Sequence, residues 1–234
     1  MNVARDAFNV PELYLLAAAF GCNTIFGLPD KQIYQLKGEE VFKEAHERLK
    51  EKQLLDSAGK ITEAGALVIQ ALEHYAQSEK YVRINNLMFA FFEKTNDKLI
   101  VLVELENNLY QLRIMAKAFV LKLLSEQFPL MSREPAPLEK TFLKRELTHE
   151  ERREVESFEP EKMFMNLEFF HMTERPMEPD NPKFYQQWMI FTKDQNLIMV
   201  DIPQKKYYHA SQYWFLKLLF DELEFPYKEA KAHG

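Results

Sequence analysis

The sequence predicts an α+β protein: a central antiparallel sheet flanked by helices and built from two helix–strand meander–helix halves related by a pseudo-two-fold axis. Three observations carry this. Amphipathic helical stretches fill about the first 80 residues. Apolar runs rich in β-branched and aromatic residues then follow one another directly, which gives antiparallel strands and not the alternating order of a parallel sheet. Finally, the phrase FVLKLLSEQF at 119–128 returns as WFLKLLFDELEF at 214–225.

Taken in order, Pro11 suits the first turn of a helix that continues through ELYLLAAAFG to Gly21. GLPDKQIYQL reads as a turn with a short helix behind it. In EEVFKEAHERLKEKQLL, Val41, Phe42, Ala45, Leu49 and Leu54 recur at helical spacing among charges. Thr62 caps the next amphipathic helix, which runs to about Ser78. YVRINNLMFAFFEK, KLIVLVELE and LYQLRIM then read as three antiparallel strands, separated by polar turns at TND and at Asn107–Asn108. A helix over 116–128 stops at Pro129. Residues 129–147, with three prolines in the first stretch, read as an irregular connector. Thr148, with Glu151 three residues later, caps a charged helix. MFMNLEFFHMT is a strand, a proline-rich loop follows, and QQWMIFTK, NLIMVDI and KKYYHAS are strands before the closing helix QYWFLKLLFDELEF.

The repeat aligns Phe92 with Phe191, Lys94 with Lys193, Leu99–Ile100 with Leu197–Ile198, and Leu121–Leu124 with Leu216–Leu219. It divides a single domain of 1–234 into a first half at 1–128 with the N-terminal helices, a connector at 129–147 and a second half at 148–234.

The charge balance, 30 basic against 36 acidic residues for a net −6, disfavours nucleic acid as the main partner. One cysteine, Cys22, rules out an intrachain disulfide framework and reads as a buried thiol closing an apolar helix. No apolar run reaches the ~20 residues of a membrane span, and the N-terminus lacks the order of a signal peptide. A soluble, cytoplasmic protein is the expectation.

Catalytic chemistry has no positive signal. None of the six histidines has metal spacing; His149 in HEER lacks the second histidine of a zincin helix. His209 reads as a packed or surface histidine. Glu104 and Glu106 are spaced to share one strand face and, like Glu12, Glu39 and Glu40, read as solvated. No phosphate loop or nucleophile elbow occurs. The expectation is a non-enzyme with no cofactor and no metal.

Binding signals are stronger. The polar tips KTNDK (94–98) and KDQN (193–196) hold equivalent places in the two halves, and FYQQWMIF and YYHASQYWF are denser in aromatics than one small sheet requires. Core packing explains much of that density, and tyrosine and tryptophan also anchor interfaces. A winged-helix reading of the N-terminal third meets an obstacle: its candidate helix, 39–52, carries five acids and four bases, the wrong balance for a DNA groove. A winged-helix regulator or a small-ligand sensor stays as the alternative function.

The order FNVPELYLLAAAFG, FGLP, ERLKEKQLLDSAGKITEAG, helix, strand meander and closing helix resembles the EspG-like chaperones of type VII secretion, in particular their Gram-positive branch. The positions that carry it are Leu13, Leu28–Pro29, Leu49, Leu54–Leu55, Thr62 and Gly65. The resemblance implies a cytosolic, non-enzymatic chaperone that binds a secreted helical-hairpin substrate, keeps it soluble and hands it to the secretion machinery, the secretion ATPase being a second partner. Carried over by place in the fold, the partner-binding residues are Lys94, Asn96, Asp97, Lys193, Asp194, Gln195, Tyr213 and Trp214, with helix-in-groove recognition as the physics. A homodimer through a self-complementary sheet edge stays open beside it.

Overall fold

The computed structural model describes residues 6–92, 97–157, 164–173 and 183–226. The chain forms two compact units, one of residues 1–79 and 86–115, the other of 80–85 and 116–234.

The first unit opens with β1 (Ala7–Asn9) and α1 (Val10–Ala17). Asn9 accepts from the Glu12 amide at 2.8 Å while the Glu12 carboxylate accepts from the Asn9 amide at 2.7 Å. This capping box satisfies two amides that the helix cannot. It also corrects the reading of Glu12 as solvated: the side chain is 1% exposed and pairs with Lys52 at 2.7 Å. Lys52 further donates to the Ala7 carbonyl and lies 4.7 Å above the Phe8 ring, so one ammonium ties β1 and α1 to the end of a distant helix. Cys22 is corrected as well. Its thiol is half-exposed and donates to the Thr24 carbonyl, because the helix has already ended and Gly21 has turned the chain at φ +73°.

α2 (Lys31–Gln35), α3 (Glu40–Glu51) and α4 (Glu63–Ala76) follow. Thr62 caps α4 as its sequence position predicts, accepting from the Gly65 amide and donating to the Gln53 carbonyl. A Cβ on Gly65 would lie 2.2 Å from the Leu54 carbonyl oxygen, so only glycine lets α4 approach that backbone. Buried Tyr14 and Tyr75 donate to the carbonyls of Pro29 and Phe26, fixing the loop between α1 and α2.

The 81–94 stretch, read as one strand, is two: β2 (Lys80–Ile84), which belongs to the second unit, and β3 (Leu87–Phe91). The break falls at Asn85, whose φ of +51° suits asparagine and whose side-chain oxygen accepts from the Asn166 amide. β4 (Lys98–Glu104) and β5 (Leu109–Ala116) complete the first unit's strands, in the order β1-β5-β4-β3. Glu104 ends β4 whereas Glu106 starts a 3₁₀ turn, Glu106–Asn108, so the two carboxylates do not share a strand face. That turn is the predicted one, made by Asn107 and Asn108 at positive φ.

The second unit contains β2, α5 (Lys117–Gln127), β6 (Lys144–Glu146), α6 (His149–Glu156), β7 (Met165–His171), β8 (Tyr185–Lys193), β9 (Asn196–Asp201), β10 (Lys206–Ala210) and α7 (Gln212–Leu223). Its strands run β2-β7-β8-β9-β10-β6, each pair antiparallel. The stretch read as an irregular connector therefore supplies an edge strand. Alternation along the strands separates two faces. Phe191, Ile198 and Val200 pack with Val155 of α6 on one. Trp188, Ile190, Met199 and Tyr208 lie on the other, where Trp214 of α7 meets Trp188 edge-on with ring centres 5.5 Å apart. Phe215, Leu219 and Leu223 bury the inner side of α7. Its last turn ends at Glu224, φ +54°, whose carbonyl accepts from the buried Lys117 ammonium at 2.9 Å, a cation at the negative end of the helix. The α+β class and the antiparallel strands are as the sequence predicts.

Candidate partner interface

The β8–β9 tip is a two-residue turn. Lys193 faces Asn196 across the ladder, and Asp194 and Gln195 between them both have positive φ, 49° and 64°. That is the turn whose twist matches a hairpin. Lys193 is held by Asp194 at 3.1 Å and Glu154 at 3.5 Å, and its side chain is only 19% exposed. Asp194 and Gln195 face solvent.

A polar network secures this tip from behind. Arg133 donates to the Gln195 carbonyl at 3.0 Å, to the Gln212 side chain at 3.1 Å and, through one nitrogen, to both oxygens of Glu139 at 2.6 and 2.7 Å. Glu139, itself buried, accepts from the Gln212 amide at the start of α7. Gln212 in turn donates to the Leu130 carbonyl. A charged side chain is tolerated in such a place only when it is paired and its remaining hydrogen-bonding capacity used, as both are here. The network links the hairpin tip to the first turn of α7, and a cleft of about 470 Å³ beside it is lined by Pro129, Leu130, Arg133, Glu134, Thr192 and Gln195.

The outer side of α7 carries an apolar groove of about 300 Å³ lined by Tyr213, Leu216, Lys217 and Phe220. Their spacing of three, four and seven is one helical face, opposite the buried Phe215 and Leu219. Tyr213 is 66% exposed. Lys217 and Asp221 pair one turn apart and edge the groove with charge.

A third feature lies where α7 crosses the sheet. Trp188, Tyr208 and Trp214 surround the Lys144 ammonium, which stands 5.8, 4.8 and 4.8 Å from the three ring centres. On the opposite face of β10, Arg152 lies 4.8 Å over Tyr207. Arg145 forms a two-pronged pair with Glu151, which also closes the capping box with Thr148. The guanidinium of Arg145 and the amide of Thr148 hold the Glu151 carboxyl down at about 2. Burial pushes the neighbouring His209 down, and nearby Arg145 adds to it. Its place in β10 agrees with the packed reading.

Of the residues singled out from sequence, Gln195 is tied through Arg133 to Gln212, the residue before Tyr213 and Trp214, while Lys193 and Asp194 belong to the same turn as Gln195. Asp97 is exposed just before β4 in the first unit, and Lys94 and Asn96 lie outside the described residues. Trp214 is half-buried against Trp188 and less available than Tyr213. Sequence reading missed Arg133, Glu139 and Lys144, all in the stretch taken as connector. Among the described residues no group of three or more His, Cys, Asp or Glu is arranged to hold a metal. Nor is any described helix long and apolar enough to cross a membrane.

Comparison with known proteins adds three findings. A family model described as "Domain of unknown function (DUF5081)" matches residues 2–231. The type VII secretion system protein EsaE of Staphylococcus aureus is 32% identical over 101 residues, in strains USA300 and NCTC 8325 alike. That match takes in 43% of this chain and 45% of EsaE, so the chain spans under half the length of these relatives. Among solved structures, the chain is similar to the Mycobacterium tuberculosis type VII secretion system chaperone EspG5, determined in complex with the PE25–PPE41 dimer. The TM-score is 0.51, with 97% of this chain and 99% of that one covered and 10% of residues identical. The fold is the EspG fold.

Proposed function

The chain belongs to the DUF5081 family, and from that premise we propose that it is a non-enzymatic chaperone or adaptor of a type VII secretion system. In this reading it acts in the cytosol, binds a secreted helical-hairpin substrate, keeps it soluble and passes it to the secretion ATPase. The observation that carries the proposal is the likeness to EsaE, a type VII secretion protein. The EspG-like fold supports it. The contact surface of the proposal is the groove of Tyr213, Leu216 and Phe220 together with the Asp194–Gln195 tip. An amphipathic helix laid along such a stripe buries apolar area for affinity, and the polar tip fixes its register. Residues 94–98, in the first unit, enter the proposal as a separate contact, by analogy of sequence position alone.

The test is a tagged pull-down from the native host's cytosol, with partners identified by mass spectrometry. Recovery of a small helical secreted protein in about one-to-one ratio, lost with Leu216→Asp while circular dichroism is unchanged, is the expected result. A well-folded bait that recovers neither a secreted protein nor any component of the secretion system overturns the proposal.

A further inference from the structure

We propose that the Trp188–Tyr208–Trp214 cluster is a recognition site for a cationic side chain carried on an extended segment, with Lys144 of β6 as its resident, displaceable occupant. The surroundings of the ammonium are the first reason. Three ring centres lie within 6 Å of it, the range in which ring quadrupoles attract a cation. Among the described residues no carboxylate shares it. Its neighbour Arg145, by contrast, is fully engaged by Glu151. A lysine whose partners are three aromatic rings marks a site selective for positive charge.

The second reason is access. Lys144 is exposed, so the cage opens to solvent on the side from which the ammonium enters. The third is the strand that delivers it. β6 is three residues long, all exposed, and is the edge of its sheet. It is paired to β10 at Lys144–Ala210, Arg145–His209 and Glu146–Tyr208, with flanking bonds from Leu147 to Tyr207 and from Ser211 to Leu143. So short a ladder is exchanged for an incoming strand that remakes the same backbone bonds, with the Arg145–Glu151 pair lost unless the segment supplies its own arginine. Lastly, the Trp188 indole N–H is buried with no hydrogen-bond partner. Such a donor is uncommon in a native fold. Residues 143–147 thereby serve as a template for the ligand: an extended segment placing one lysine or arginine over the rings. The site follows from its own geometry and does not depend on the secretion reading.

The experiment follows tryptophan fluorescence of Lys144→Met, which keeps the apolar stem and removes the charge. One probe is tetramethylammonium chloride, with sodium chloride at matched ionic strength as control. The other is the acetylated, amidated peptide LKREL, compared with the same peptide carrying norleucine for lysine. Lys144→Met is expected to give a saturable response to tetramethylammonium that the wild type lacks. It should bind the lysine peptide about tenfold more tightly than the norleucine peptide. Both effects should vanish on adding Trp214→Leu. No saturable response in a variant with native circular dichroism overturns the site. So does a response that survives Trp214→Leu, or equal affinity for the two peptides; Lys144 is then only a clamp on its own strand. Lys144→Ala repeats the series, so loss of fold in one variant leaves the other to decide.

Discussion

Lys52 and Glu12 show how much one pair of residues can organise. The two charges are nearly inaccessible to water, and every other group they touch belongs to β1 or the first turn of α1. Removing one partner strands the other. Lys52→Met is expected to cost about 3–5 kcal/mol, read as a lower urea midpoint, and adding Glu12→Gln should recover part of it. A loss below about 1 kcal/mol would show that the pair is solvated. Glu151 makes a different statement. Its folded pKa of about 2 lies below the ordinary 4.5, so its stabilisation is complete above 4.5 and is lost as pH falls from there towards 2. Glu151→Gln should lower the thermal midpoint at neutral pH, by an amount that shrinks as pH falls from 4.5 through 2. A difference undiminished in acid would contradict the assignment. His209 acts in the same direction. Its depressed pKa means the unfolded chain binds the proton more readily, so stability declines as pH drops below the ordinary 6.5.

At the scale of elements, the β8–β9 turn puts two non-glycine residues at positive φ. Asn-Gly is the sequence such a turn prefers. Replacing Asp194–Gln195 with Asn-Gly should stabilise the protein by about 1 kcal/mol, measured by urea unfolding. The Arg133 bond survives because it uses a backbone carbonyl. If the stabilised variant also keeps its partner, the tip contributes through its shape and not its side chains. Elements with a local signal were legible in the sequence: the caps at Thr62 and Thr148, the stop before Pro129, and the apolar runs of β8 and β9. The break at Asn85–Asn86 was not, because apolar residues continue on both sides and the turn depends on an asparagine paired with Asn166, far along the chain. β1 is three residues long and β6 is three charged ones, so neither has a pattern of its own. The aromatics of the candidate site stood out by composition. Lys144, which completes the cage, did not, since only the pairing of β6 with β10 brings it there.

For the whole molecule, the division into units cuts across the order of the chain. β2 completes the second unit, with Val82 and Ile84 fully buried and five register pairs to β7, yet it precedes β3 to β5 of the first. A fragment of residues 116–234 therefore lacks a strand and leaves the β7 edge bare, a template for association. It should elute as aggregate in size exclusion, and a version with residues 78–86 fused ahead of it should be better behaved. A monodisperse, cooperatively unfolding 116–234 fragment would refute this. In chain order, three strands and a helix occur twice, β3–β4–β5–α5 and β8–β9–β10–α7.

The early place of β2 also sets a clock during synthesis. From Ile84 to Met165 the ribosome must add about 80 residues, which takes roughly 4–16 s at ordinary elongation rates. Through that interval the nascent chain holds a strand whose β7 partner does not yet exist. Slowed translation between those positions would lengthen the exposure, and the yield of folded protein should depend on elongation rate there more than anywhere else along the message.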